Sequence, residues 1–112
     1  MKLMTKELEA LFKKTGSQEK NPDPLVIARF FNPTGVGNWY ATEYDPTTEE
    51  FFGFVSIFND DCDEWGYFSL AELQEFKGQF GLGIERNLYC EVKPMSEICP
   101  KAVRKTTSGQ TP

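Results

Sequence analysis

A chain of 112 residues is too short for two hydrophobic cores and long enough to bury one without disulfide or metal staples, so a single domain is expected. Hydrophobic residues make up 39% and charged residues 26%, and ten Phe, four Tyr and two Trp supply bulky apolar material, which excludes global disorder. The formal net charge of −5 disfavours direct binding to nucleic-acid phosphates, and the absence of histidine removes the usual neutral-pH general base, the Ser-His and Cys-His nucleophile pairs and His-based metal sites.

Thr5 precedes a segment in which Leu8, Leu11 and Phe12 share one helical face, and Gly16 offers a stop, so a short amphipathic helix opens the chain. Residues 17–24 are polar and carry Pro22 and Pro24, which suits a loop. The apolar run Leu25-Val26-Ile27-Ala28-Arg29-Phe30-Phe31 reads as a strand, the cluster Asn32-Pro33-Thr34-Gly35-Val36-Gly37 as a turn, and residues 39–44 as a second strand. Asp45-Pro46-Thr47-Thr48 makes another turn before a third strand over 51–58, with Gly53 at a bulge or close contact, which completes an antiparallel meander.

Ser69 and Glu72 form a capping box ahead of a second helix over 70–77, buried through Leu70, Leu73 and Phe76. Gly78, Gly81 and Gly83 keep the chain irregular until Leu88-Tyr89-Cys90-Glu91-Val92, a short alternating run able to join the sheet. Residues 1–99 are therefore expected to form one α+β domain, a small antiparallel sheet of three to five strands packed with two short helices. Residues 100–112 are apolar-poor and expected to form a mobile tail.

Cys62, Cys90 and Cys99 contain no CxxC pair and cannot form a complete disulfide set, which points to reduced thiols. Neither a signal-peptide run nor a membrane-spanning segment is evident, so the expected compartment is the cytoplasm.

Charge is segregated along the chain. From Phe30 to Phe76 there are ten acids and no Lys or Arg, a net of −10, whereas the remainder holds seven acids and twelve bases, a net of +5. Folded together, these carboxylates form either a solvated surface that keeps the protein soluble or an acidic docking face for a cationic partner.

Catalytic motifs are wanting. The chain has no GxxxxGK[ST] loop, and the glycines at 35 and 37, or at 78, 81 and 83, lack the strand-to-helix setting of a dinucleotide fingerprint. No cofactor is expected and catalysis is disfavoured. Residues 61–72 match the length of an EF-hand calcium loop, with Asp61, Asp63, Gly66 and Glu72 at its first, third, sixth and twelfth positions. Trp65 stands where a further oxygen ligand belongs, however, and Ser69 with Glu72 already has a capping role, so an acidic loop leading into a helix is the simpler reading.

Taken in order, Trp39-Tyr40-Ala41-Thr42-Glu43-Tyr44-Asp45, Phe51-Phe52-Gly53-Phe54-Val55, Gly66-Tyr67-Phe68-Ser69-Leu70-Ala71-Glu72-Leu73, the run from Gly78 to Tyr89 and Lys93-Pro94-Met95-Ser96-Glu97 resemble the bacterial domain-of-unknown-function family 2958. The resemblance begins near Met4-Thr5-Lys6-Glu7-Leu8 and covers most of the chain. That family has no settled activity, so no catalytic residue is transferred. Its members are carried on plasmids, integrative elements and phages among accessory genes, which implies a mobile-element protein. The Asn59-Asp60-Asp61-Cys62-Asp63-Glu64 stretch is more acidic than the family's usual loop.

The leading expectation is a non-catalytic interaction protein that binds a basic surface of a nucleic-acid-handling effector, as an anti-CRISPR or anti-restriction inhibitor would. Asp60, Asp61, Asp63 and Glu64 would supply charge, and Trp39, Tyr40, Trp65 and Tyr67 apolar anchors. The competing class is a small-ligand protein or enzyme with a pocket built from Glu43, Glu85 and Arg86 beside Tyr40. A third is a structural subunit whose exposed aromatics need a partner; oligomeric state stays open.

Overall fold

In a computed structural model, residues 2–57, 63–77 and 81–102 are described. The first helix, α1 (Lys6–Thr15), starts where the sequence places it. Thr5 Oγ1 accepts the Leu8 N–H at 3.1 Å, Glu7 and Glu9 lie in the first turn and Lys13 and Lys14 in the last, each complementing the helix dipole. Gly16 adopts a φ of 71° and its N–H donates to the Phe12 carbonyl at 2.9 Å, which ends the helix.

The 25–31 run is two strands. Residues Leu25–Val26 (β1) pair with Lys93–Pro94 (β7), and the chain switches partners at Ile27, whose N–H reaches the Ala41 carbonyl at 2.9 Å. Ala28–Phe31 (β2) then joins Asn38–Asp45 (β3), Glu50–Ser56 (β4), Glu64–Ser69 (β5) and Glu85–Arg86 (β6) in a five-stranded antiparallel sheet of order β5-β4-β3-β2-β6. The turn between β2 and β3 is organised by Asn32, whose Oδ1 accepts the Thr34 N–H at 3.0 Å and hydroxyl at 2.9 Å. The turn between β3 and β4 is organised by Asp45, whose Oδ1 accepts the Thr47 N–H at 2.9 Å.

Strand β5 corrects the expectation of an acidic loop running straight into a helix: the segment 64–69 pairs with β4 from Val55↔Glu64 to Glu50↔Ser69. Strand β6 is a second correction. The run 88–92 is not a strand, because Asn87 Oδ1 accepts the Tyr89 N–H at 2.9 Å and turns the chain, while Glu85 and Arg86 pair with Phe31 and Phe30. Helix α2 (Leu70–Glu75) is capped by Ser69 as expected but stops two residues early, where Phe76 takes extended dihedrals.

Each sheet face buries its own cluster. On the face covered by α1 and α2, Phe51 is fully buried against Phe30 at 5.1 Å, Phe68 at 5.3 Å, Tyr44 at 4.7 Å and Phe12 at 5.8 Å between ring centroids. On the opposite face Phe54 and Val26 pack with Met95, Cys99 and Ala102 beneath a third helix, α3 (Met95–Ile98). Asp23 anchors that helix, its carboxylate accepting the Ser96 N–H at 2.9 Å and hydroxyl at 2.6 Å. The packed domain continues past residue 99: helical backbone resumes at Pro100, Ala102 is buried, and Lys101 pairs with Asp63. The expected tail from 103 onward lies outside the described residues. No helix among the described residues is long and apolar enough to cross a membrane.

Candidate functional site

Alternation along the strands decides which side chains reach the second face. Opposite Phe54 on β4 stand Tyr40 on β3 and Trp65 on β5, and opposite Phe52 stand Glu43 and Tyr67. Trp39 pairs with Val55 and so points to the other side, where it is 7% exposed and meets Phe76 edge-on. Of the four expected aromatic anchors, Trp39 is therefore core, because adjacent residues of a strand cannot share a face. Tyr40 is half-buried beside Cys99 at the α3 end of the second face, whereas Trp65 and Tyr67 line an open cleft.

The cleft has a volume of about 810 Å³. Its floor is an aromatic ladder in which Phe52 stacks on Trp65 at 5.9 Å and meets Tyr67 edge-on at 5.0 Å, and Trp65 in turn meets Phe54 edge-on at 5.7 Å. Tyr67 is 74% exposed, and the Trp65 indole Nε1 is buried with no acceptor among the described residues. Four carboxylates, those of Glu19, Glu43, Asp45 and Glu50, border the space against one base, Lys20.

One wall is the segment 18–24, and a single buried side chain holds it. Gln18 Nε2 donates to the Thr42 carbonyl at 2.7 Å and to the Leu25 carbonyl at 2.9 Å, while its Oε1 accepts the Leu25 N–H at 2.7 Å. Thr42 is available because β3 bulges there: the register steps from Ala41↔Gly53 to Glu43↔Phe52. Gly53 is required at this point, since a Cβ would overlap the Tyr40 carbonyl oxygen and lie 2.8 Å from its carbon. The sequence marks Gly53 as a bulge or close contact, whereas Gln18 leaves no local pattern because its Thr42 partner lies 24 residues away.

The acidic-loop residues separate. Asp60 and Asp61 lie outside the described residues, and Glu64 is exposed at the start of β5. Asp63 is not a docking residue: it is 3% exposed, ion-paired with Lys101, and accepts the Ser56 hydroxyl at 2.9 Å. The calcium geometry fails as well. Strand β5 stands between Asp63 and Glu72, and at about 3.3 Å per residue its six residues hold the two carboxylates far apart, whereas an EF-hand loop wraps both onto one ion. No group of three or more Cys, Asp or Glu able to hold a metal occurs among the described residues.

The alternative pocket does not assemble. Arg86 pairs with Phe30 and shares its face, whereas Glu43, paired with Phe52, and Glu85, paired with Phe31, lie on the other face, where β2 intervenes between β3 and β6. Glu43 borders the large cleft, while Arg86 lines a cavity of about 230 Å³ beside α1.

Titration follows burial. Desolvation raises the Tyr40 hydroxyl above the usual phenol value, assisted by the neighbouring Cys99 thiol and opposed by Arg29. Desolvation likewise raises the Cys90 and Cys99 thiols, so both stay protonated and poorly nucleophilic near neutral pH. Arg29 lies over the rings of Phe31 at 5.4 Å and Tyr40 at 6.0 Å, so the second face already holds one cation on aromatic carbon.

No curated protein and no solved structure matches the chain. A family model described as a protein of unknown function, DUF2958, matches residues 3–107, and the chain belongs to that family.

Proposed function

We propose that this chain is a non-catalytic interaction protein that binds a cationic protein surface through the aromatic-floored cleft on the second face of its sheet. The observation that carries the reading is the pairing of an exposed ring, Tyr67, with the carboxylates of Glu19, Glu43 and Glu50 around one cleft. Aromatic faces and carboxylates together favour Lys and Arg side chains, and a solvent-facing negative field speeds encounter with a basic partner. Proteins that handle nucleic acid carry Lys/Arg surfaces of that kind. An acidic occupant competes with phosphate for them, which is the anti-CRISPR or anti-restriction form of the reading for a mobile-element protein.

The variant Glu19→Lys/Glu43→Lys/Glu50→Lys tests it, because none of these side chains holds a hydrogen bond or ion pair in the described fold. Affinity capture from the native host at low and high salt should return a basic protein with the wild type at low salt and lose it with the variant. Equal recovery by both removes the cleft from partner binding. The cleft volume also suits a small molecule. A thermal-shift screen of metals and nucleotides that moves the wild type but not Trp65→Ala would favour that second reading.

A further inference from the structure

The cation-binding reading leaves open how a partner chain lies on this domain, and the edge of β5 bears on that question. The Leu70 N–H donates to the Glu49 carbonyl at 2.9 Å, and the β4–β5 register runs without interruption from Glu50↔Ser69 to Val55↔Glu64. Hydrogen-bonded and non-hydrogen-bonded pairs alternate in an antiparallel ladder, so the bonded pairs are Phe51–Phe68, Gly53–Gly66 and Val55–Glu64. The N–H and C=O groups of Trp65 and Tyr67 therefore point away from β4. Strand β5 is terminal in the sheet, and no strand among the described residues pairs with that side.

We propose that β5 accepts an extended cationic segment of a partner protein as a sixth, antiparallel strand, an inference that rests on the cation-binding reading and specifies its geometry. The guest residues opposite Trp65 and Tyr67 direct their backbone groups inward and their side chains onto the second face, beside the Phe52–Trp65–Tyr67 ladder and its bordering carboxylates. Lys or Arg suits both positions. The residue between them lies opposite Gly66, where a Cβ would meet no atom within 4 Å, so there is room for a large apolar side chain to lie across the glycine. Charge favours this guest over a second copy of the chain. Strands β3, β4 and β5 and helix α2 contain no Lys or Arg, and exposed Glu64 and Tyr67 border the edge, so self-pairing would bring like charges together.

The recognition pattern is thus cation–apolar–cation in extended form. The probe is the capped peptide Thr-Thr-Lys-Phe-Lys-Thr-Thr, titrated into the labelled protein by amide NMR. Binding should shift Trp65, Gly66 and Tyr67. N-methylation of both lysine amides, which leaves every charge in place, should weaken it at least tenfold, whereas N-methylation of the Phe amide, which faces away, should change it less than twofold. Replacing Phe by Ala should weaken binding to the wild type, and Gly66→Val, which fits the strand and fills the open space, should erase that difference. Failure of the peptide to bind, equal affinity of all the methylated forms, or dimerisation through β5 in sedimentation would overturn the added strand. Equal affinity of the methylated peptides with loss on the Glu19/Glu43/Glu50 reversal removes the strand and leaves the cleft reading intact; retention of a native partner by that reversal removes the cleft reading itself.

Discussion

Replacing Gln18 by alanine tests whether one buried amide builds the cleft wall. The substitution deletes three hydrogen bonds, to the Leu25 N–H, the Leu25 carbonyl and the Thr42 carbonyl. Thr42 is 1% exposed, so water is poorly placed to replace its partner, and a stranded buried group costs about 1–3 kcal/mol. Leu25 is only half-buried, and its two groups recover part of their loss from solvent, at about 0.5–1 kcal/mol each. The expected destabilisation is about 2–5 kcal/mol, which a domain of ordinary stability, about 5–15 kcal/mol, survives in folded form unless it lies at the bottom of that range. Urea unfolding followed by Trp39 and Trp65 fluorescence measures it, with an unchanged urea slope. Gln18→Glu sharpens the test. It retains the acceptor for Leu25 but sets a carboxylate oxygen against two carbonyls, so it should cost at least as much as alanine despite its larger side chain. A loss below about 1 kcal/mol for alanine, or a Glu variant as stable as wild type, would refute the role assigned to this amide.

Lys101→Met removes an ion pair with buried Asp63 and a 3.1 Å contact with Ser56, and should cost about 1.5–3 kcal/mol in the same urea assay. A value near zero would show that the packed domain ends before residue 100. Gly53→Val should cost about 3 kcal/mol, the upper end of overpacking, and shift the Tyr40 and Ala41 amides by NMR, because its Cβ would overlap the β3 backbone. Alkaline pH should destabilise the fold: burial raises the Cys90, Cys99 and Tyr40 values, so the unfolded chain ionises first and the folded state binds more protons. These three groups leave melting temperature unchanged below about pH 8.5 and lower it as pH rises beyond that, with a shallower fall in Cys99→Ala.

The legible parts of this fold are those whose physics is local. Thr5 and Gly16 bracket α1, Ser69 begins α2, and Asp45 turns the chain, each through hydrogen bonds spanning four residues or fewer. Strand β5 was hidden because Asp63, Glu64 and Gly66 read as loop chemistry. Its hydrophobic alternation is split between Phe68 on one face and the half-exposed Trp65 and exposed Tyr67 on the other, as an edge strand under a thin cover allows. At 88–92 the same period-2 pattern misled, since the Asn87 side chain satisfies a backbone amide locally and competes with the ladder.

The site follows the same division. Acidic charge and aromatic content were readable as quantities, but strand parity assigns each residue its place, and parity depends on register. Trp39 and Tyr40 are neighbours in sequence and lie on opposite faces; Trp65 and Tyr67 are two apart and share one. Asp63 and Glu64 differ in the same way, the first paired with Lys101 38 residues on and the second in solvent. Reversing Asp60, Asp61, Asp63 and Glu64 together would therefore confound docking with unfolding. Reversal at Glu19, Glu43 and Glu50 changes the field of the cleft while leaving the core ion pair in place, so a loss of binding there reads on function alone.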